Sequence, residues 1–190
     1  MLIDKFLKNI DFEETHRITI NRSPETVYPC IWELDFCESK TIRLLFTLRG
    51  LPRQMCCLKG CVEIGFIVLA EEKNHELVLG LLIDPPRFRP VRITPEEFIR
   101  FDQKHHIKVV WNFFLEPDSQ GNTILTTHTR VGCAGRLSRT LFGVYWLMIS
   151  YLSGLIRKIM LKLIKNNAEK RRLEQRLSQA AQPRPDGGIS

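Results

Sequence analysis

No GxSxG elbow, HExxH pair, phosphate-binding loop or dinucleotide fingerprint occurs in this sequence, which leaves the motif-bearing hydrolases, zinc proteases and nucleotide enzymes without support. There is no internal repeat and no nucleic-acid-binding motif, and the basic residues lack interleaved stacking aromatics, so no nucleic acid partner is expected. Cysteine is present but unpatterned. Cys56, Cys57 and Cys61 lie close together without a CxxC spacing or a nearby histidine, so they read, like Cys30, Cys37 and Cys133, as buried small hydrophobes and not as zinc ligands. No metal and no cofactor is expected. The first residues contain no apolar run long enough for a signal peptide, which predicts a cytoplasmic protein whose thiols stay reduced. Two further absences mark one region. Proline is missing between Pro117 and Pro183, and charge is missing from Thr140 to Ile156.

That region is where the chain is most informative. Leu137, Leu141, Tyr145, Met148, Leu152, Leu155, Ile159 and Leu163 recur at steps of three and four, the period that places side chains on one helical face. The spacing predicts a helix over 136–176, apolar nearly all round in its first half and amphipathic from Arg157. An all-round apolar helix needs cover, from a sheet or from lipid. The basic surplus sits on the same element. Ten basic and two acidic residues fall within 136–176, a surplus of +8 in a chain whose net charge is +7.

The chain before it reads as strand, helices, strands. Alternation over 14–20 predicts a first strand. Ser23 and Pro24 then form an N-cap and a first helical position, opening a helix with Val27, Ile31 and Leu34 on one face and Trp32 beside them. A second short helix is expected over 38–48, broken by Gly50 and Pro52. Strands follow over 62–70 and 76–83, joined by a turn at 71–75. Residues 84–90 carry three prolines and read as irregular, because proline cannot donate to a ladder. A short helix or turn near 96–102 precedes strands at 107–116 and 123–131, with a turn between them. The expected organisation is a lead-in at 1–13, one domain at 14–176 and a disordered tail at 177–190. An α+β domain results, with a curved antiparallel sheet whose apolar face covers the C-terminal helix.

This order resembles the helix-grip fold of the START-like, or SRPBCC, superfamily, which includes polyketide cyclases and birch-pollen-allergen-like proteins. The stretches that carry the resemblance are 17–28, 97–102, 110–113, 127–131 and 145–157. They are most similar to uncharacterised bacterial SRPBCC proteins. The resemblance implies a cavity between sheet and C-terminal helix that takes up a hydrophobic small molecule such as a lipid, sterol, quinone or polyketide, as carrier or sensor. It also implies, as an alternative, a cyclase- or hydrolase-like enzyme using the same cavity. One fold hosts many activities, so function must be argued from the site.

Read from the residues themselves, Phe66, Leu79, Trp111 and Phe113 on the strands, with Tyr145, Met148 and Leu152 on the helix, are candidates to line such a cavity. Thr127, Thr129 and Tyr145 offer polar handles. Each of these side chains is also a natural core residue, and a one-residue change of register would exchange Trp111 and Phe113 for Val110 and Asn112. Ionisable candidates for acid–base work are Asp102, His105, His106 and His128, with Arg130 on the same strand face as His128. A structural role is the better expectation for all of them, and no catalytic residue is assigned.

A membrane offers the competing cover. Seventeen uncharged residues from Thr140 to Ile156 reach only the lower end of the roughly 17–25 that a spanning helix needs. Both flanks are basic, so the charge rule selects no orientation. Surface attachment through Arg157, Lys158, Lys162 and Lys165 to anionic headgroups, by a module with a filled core, is the third functional expectation.

Overall fold

The computed structural model describes residues 1–48, 50, 53–84, 89–102 and 106–180. Among these residues six strands form one antiparallel sheet: β1 (Phe12–Ile20), β2 (Ile67–Glu72), β3 (Glu76–Asp84), β4 (Arg89–Val91), β5 (Ile107–Pro117) and β6 (Thr123–Cys133). Their order is β1-β6-β5-β3-β2, with β4 paired to the end of β3. The helices are α1 (Pro24–Trp32), α2 (Lys40–Leu48), α3 (Leu58–Glu63), α4 (Pro95–Arg100) and α5 (Arg136–Ala180). The fold is a helix grip.

Both sheet faces are covered, by different elements. On the inner face Leu77, Leu79, Trp111, Phe113, Leu115 and Leu125 share the main core with α1, α2 and the second half of α5, which contributes Met160, Leu161, Ile164 and Ala168. On the outer face Val78, Leu82 and Val110 pack with Leu69, with Phe98 of α4 and with Ile3 and Phe6 near the N-terminus. Glu76 fastens this outer layer. It is fully buried, and its carboxylate accepts from the backbone N–H groups of Leu2 (2.6 Å) and Ile3 (3.1 Å) and from Asn112 Nδ2 (2.7 Å). The lead-in is therefore a 3₁₀ turn, Leu2–Lys5, docked on the sheet.

Four expectations are corrected. Strand β2 starts at Ile67, because 58–63 is helical, capped by Cys57, whose sulfur accepts from Gly60 N–H at 3.4 Å. A six-residue helix is too short to show a period. Pro90 does lie in a ladder, opposite Ile83, in a three-residue strand off the main path of the sheet, where the missing N–H costs nothing. Cys37 and Cys56 are joined as a disulfide, not held as two reduced thiols. It ties the turn before α2 to the turn before α3. Spatial proximity decided this; spacing in the chain did not announce it.

The fourth correction concerns α5. The sheet grips it along one side only. Leu137, Leu141, Val144, Leu147, Met148 and Tyr151 remain exposed, while the better-buried part is the amphipathic second half. A single layer of strands reaches one side of a helix: in this half Phe142, Tyr145 and Trp146 meet the sheet, and the exposed residues between them face away from it. Residues 181–190, most of the expected tail, lie outside the described residues.

Candidate functional site

The inner face has two apolar ends and a polar middle. One end is the main core. The other, beneath the start of α5, gathers Ile107, Val131 and Phe142 with Phe12, Tyr145 and Trp146. Between them β1 presents Glu14 and His16, opposite Thr129 and Thr127 of β6, and β5 presents Trp111, opposite Thr129. Alternation along β1 explains the placement: Phe12, Glu14, His16 and Ile18 point inward while Glu13, Thr15, Arg17 and Thr19 are exposed.

This strip is closed from above by α5. Gly154 is buried against it, and a Cβ there would lie 2.4 Å from Glu14 Oε1 and 3.3 Å from His16 Nε2, so a larger residue would have to displace the Glu14 carboxylate from its present position. Arg157, one turn on, stacks over the Trp111 ring at 5.2 Å. Within the strip His16 Nε2 lies 2.8 Å from Glu14 Oε1. Trp111 Nε1 donates to Thr127 Oγ1 at 2.7 Å, and that hydroxyl donates to the Asn112 carbonyl at 2.7 Å. Two atoms are left over: Glu14 Oε2 and Thr129 Oγ1 are buried without a hydrogen-bond partner among the described residues. Buried polar atoms are normally paired, because leaving one unpaired costs about 1–3 kcal/mol. Beside the strip the apolar lining is only partly covered: Phe66, Leu81, Ile83, Val109 and Leu152 are all half-buried.

The resemblance to START-like proteins is one of fold. No protein-family model matches the chain, and no curated protein does. Among solved structures it is similar to CalU16 from Micromonospora echinospora, at 11% identity over 83% of this chain and 84% of that one, with a TM-score of 0.30. The Zhui aromatase/cyclase from Streptomyces sp. R1128 is 15% identical over 84% of this chain and 94% of its own, with a TM-score of 0.29. Ara h 8.0201 is 10% identical over 84% and 98%, with a TM-score of 0.31. Scores this low carry no conclusion about chemistry. The strand order and the helix placement of this chain carry the fold.

The expected site residues divide. Leu79, Trp111, Phe113, Thr127 and Thr129 are buried on the inner face, which also settles the register against Val110 and Asn112. Phe66 and Leu152 are half-buried beside them, and Tyr145 packs against Phe142 at the apolar end. Met148 is misplaced: it is 74% exposed on the far side of α5. Helical period alone does not say which side of an all-apolar helix meets the sheet.

The ionisable candidates lie elsewhere. His128 and Arg130 point to the outer face. His128 Nδ1 is 2.9 Å from Thr15 Oγ1, and Arg130 is held by Glu13 and Asp4 at 2.7 and 2.6 Å. Burial, then the Arg130 charge, lowers the His128 pKa. A shallow depression of about 380 Å³ adjoins His128, Thr126 and Phe114 on this face. His106 packs edge-on against Phe101, with ring centroids 4.7 Å apart. Asp102 is exposed, and His105 lies outside the described residues. Glu14 and His16 carried no signal in the chain beyond strand alternation. Only pairing with β6 and cover by Gly154 mark them out.

Of the basic set on α5, Lys158 and Lys162 are exposed. Arg157 turns to Trp111, and Lys165 Nζ donates to the Thr19 carbonyl at 3.0 Å. The four do not share a surface. Among the described residues, no helix is long and apolar enough to cross a membrane.

Proposed function

We propose that this chain binds a hydrophobic small molecule carrying a hydroxyl group, as a carrier or sensor, between the inner face of the sheet and α5. The observation behind the reading is the pair of unpartnered atoms, Glu14 Oε2 and Thr129 Oγ1, on directly opposed residues amid half-buried apolar side chains. A carboxylate only accepts, whereas a threonine hydroxyl both donates and accepts. A guest hydroxyl can donate to Glu14 and accept from Thr129, completing both. A guest carboxylate would meet Glu14 with like charge, and a quinone has no proton to give it. Phe66, Leu81, Val109 and Leu152 suit the apolar remainder of the guest, a few polar groups fixing orientation within a mostly apolar lining.

The test is a titration of delipidated protein with a long-chain alcohol, the matching fatty acid and the matching alkane, followed by the fluorescence of Trp111 in a Trp32→Phe, Trp146→Phe background. The alcohol is expected to bind most tightly, and Thr129→Val to weaken the alcohol alone. Equal affinity for alcohol and alkane, or no loss in Thr129→Val, would overturn the assignment. Organic extraction of freshly purified protein with mass spectrometry then identifies the natural guest.

A second reading, an enzyme acting on the same guest, is favoured by the 2.8 Å His16–Glu14 contact, a pair suited to moving a proton. Turnover of a bound alcohol or its ester that disappears in His16→Gln while binding persists would select it.

A further inference from the structure

We propose that the outward side of the first half of α5 is a docking surface for an anionic phospholipid bilayer. Leu137, Leu141, Val144, Leu147, Met148 and Tyr151 are 45–82% exposed. They run along about 21 Å of one helix side, a longer apolar strip than a monomeric protein ordinarily leaves in water.

Charge identifies the occupant. Lys158 and Lys162 continue the alternating four-and-three spacing of Leu137, Leu141, Val144, Met148 and Tyr151, and Arg136 stands at its other end. All three are exposed. No aspartate or glutamate occurs between Asp118 and Glu169, so nothing on this stretch of helix repels an anionic headgroup. Arg139 is not part of the surface, since it pairs with Asp11. Tyr151 places an amphipathic ring where apolar and basic portions meet, as interfacial aromatics do. Because the helix is not apolar enough to span, it would lie in the plane of the bilayer, with the apolar strip at the acyl boundary and the cations among phosphates. A second copy of the chain fits the strip less well. Pairing two strips antiparallel about Leu147 sets Arg136 of each copy beside Lys158 of the other, and parallel pairing stacks Arg136 on Arg136; both oppose like charges. The surface stands independently of the inner-face site.

The full chain is floated with phosphatidylcholine vesicles, with and without phosphatidylglycerol, at low and high salt, and its mass is measured by light scattering. Flotation is expected only with phosphatidylglycerol and is lost at high salt. L147E with M148E abolishes it while leaving the melting curve unchanged, since both side chains are exposed. K158A with K162A weakens it roughly twenty-five-fold, at about a fivefold loss per cation. Absence of flotation by the unaltered chain overturns the proposal, as does flotation indifferent to these variants. So does a dimer without vesicle binding that L147E with M148E converts to monomer, which would assign the strip to self-association.

Discussion

Thr127 and Thr129 stand two residues apart on β6, both buried on the inner face, and the same substitution is expected to move stability in opposite directions at the two positions. The Thr129 hydroxyl has no partner among the described residues, and an unpaired buried hydroxyl costs about 1–3 kcal/mol. Valine keeps the shape and the strand preference and removes that cost. Thr129→Val is therefore expected to stabilise the ligand-free protein by about 1–2 kcal/mol, raising its melting temperature by about 2–8 °C at this size. Thr127→Val does the reverse. Its hydroxyl accepts from Trp111 Nε1 and donates to the Asn112 carbonyl, both at 2.7 Å, so valine strands a donor and an acceptor. The loss is about 2–4 kcal/mol. Urea unfolding of delipidated samples, with slopes required to match the parent, gives both numbers. A Thr129→Val protein destabilised by about 1 kcal/mol or more would show that the hydroxyl is already satisfied, and the argument for a guest hydroxyl would fall with it.

Glu76→Ala removes the acceptor shared by Leu2 N–H, Ile3 N–H and Asn112 Nδ2; a loss of about 3–5 kcal/mol and early hydrogen exchange over residues 1–7 are expected, whereas Glu76→Gln, which keeps a carbonyl oxygen, loses less. His128 has a folded pKa held below 6.5 by burial and then by Arg130, so the unfolded chain binds the proton first. Stability should fall as pH drops from 6.5 toward the lowered folded value and level off beneath it. Subtracting the His128→Gln profile isolates this slope, and identical profiles would refute it. The Cys37–Cys56 bond closes a loop with a sequence separation of 19. Reduction should cost about 3 kcal/mol, read as a lower urea midpoint with reductant and reproduced by Cys37→Ser with Cys56→Ser.

The two long strands that carry the polar strip were legible from their length and content: β5 and β6 run eleven residues each, rich in β-branched and aromatic residues and separated by a turn, Pro117 to Asn122. Ser23 and Pro24 do mark the start of α1, at the N-cap and first helical positions, although the Ser23 side chain makes no cap hydrogen bond; Pro95 follows Thr94, which closes a full capping box with Glu97. Helix α3 was not legible, because six residues with a cysteine cap carry neither period nor a familiar stop. The disulfide was not legible either. Cys37 has no distinguishing neighbour in the chain, and only the two turns folding together bring its Cα within 5.2 Å of that of Cys56.

What this sequence determined by itself is the longer elements and their order, though not α3 or β4, since alternation, helical spacing and turn residues act over a few neighbours and need no partner. Which side of α5 the sheet would hold was left to tertiary structure, because a helix uncharged from Thr140 to Ile156 looks alike from every direction until a strand packs on it. Gly154 lies at that contact, close over Glu14 and His16, while Met148 and Tyr151 face outward and two polar atoms are left without partners among the described residues, a juxtaposition of residues some 140 positions apart that no local pattern can encode.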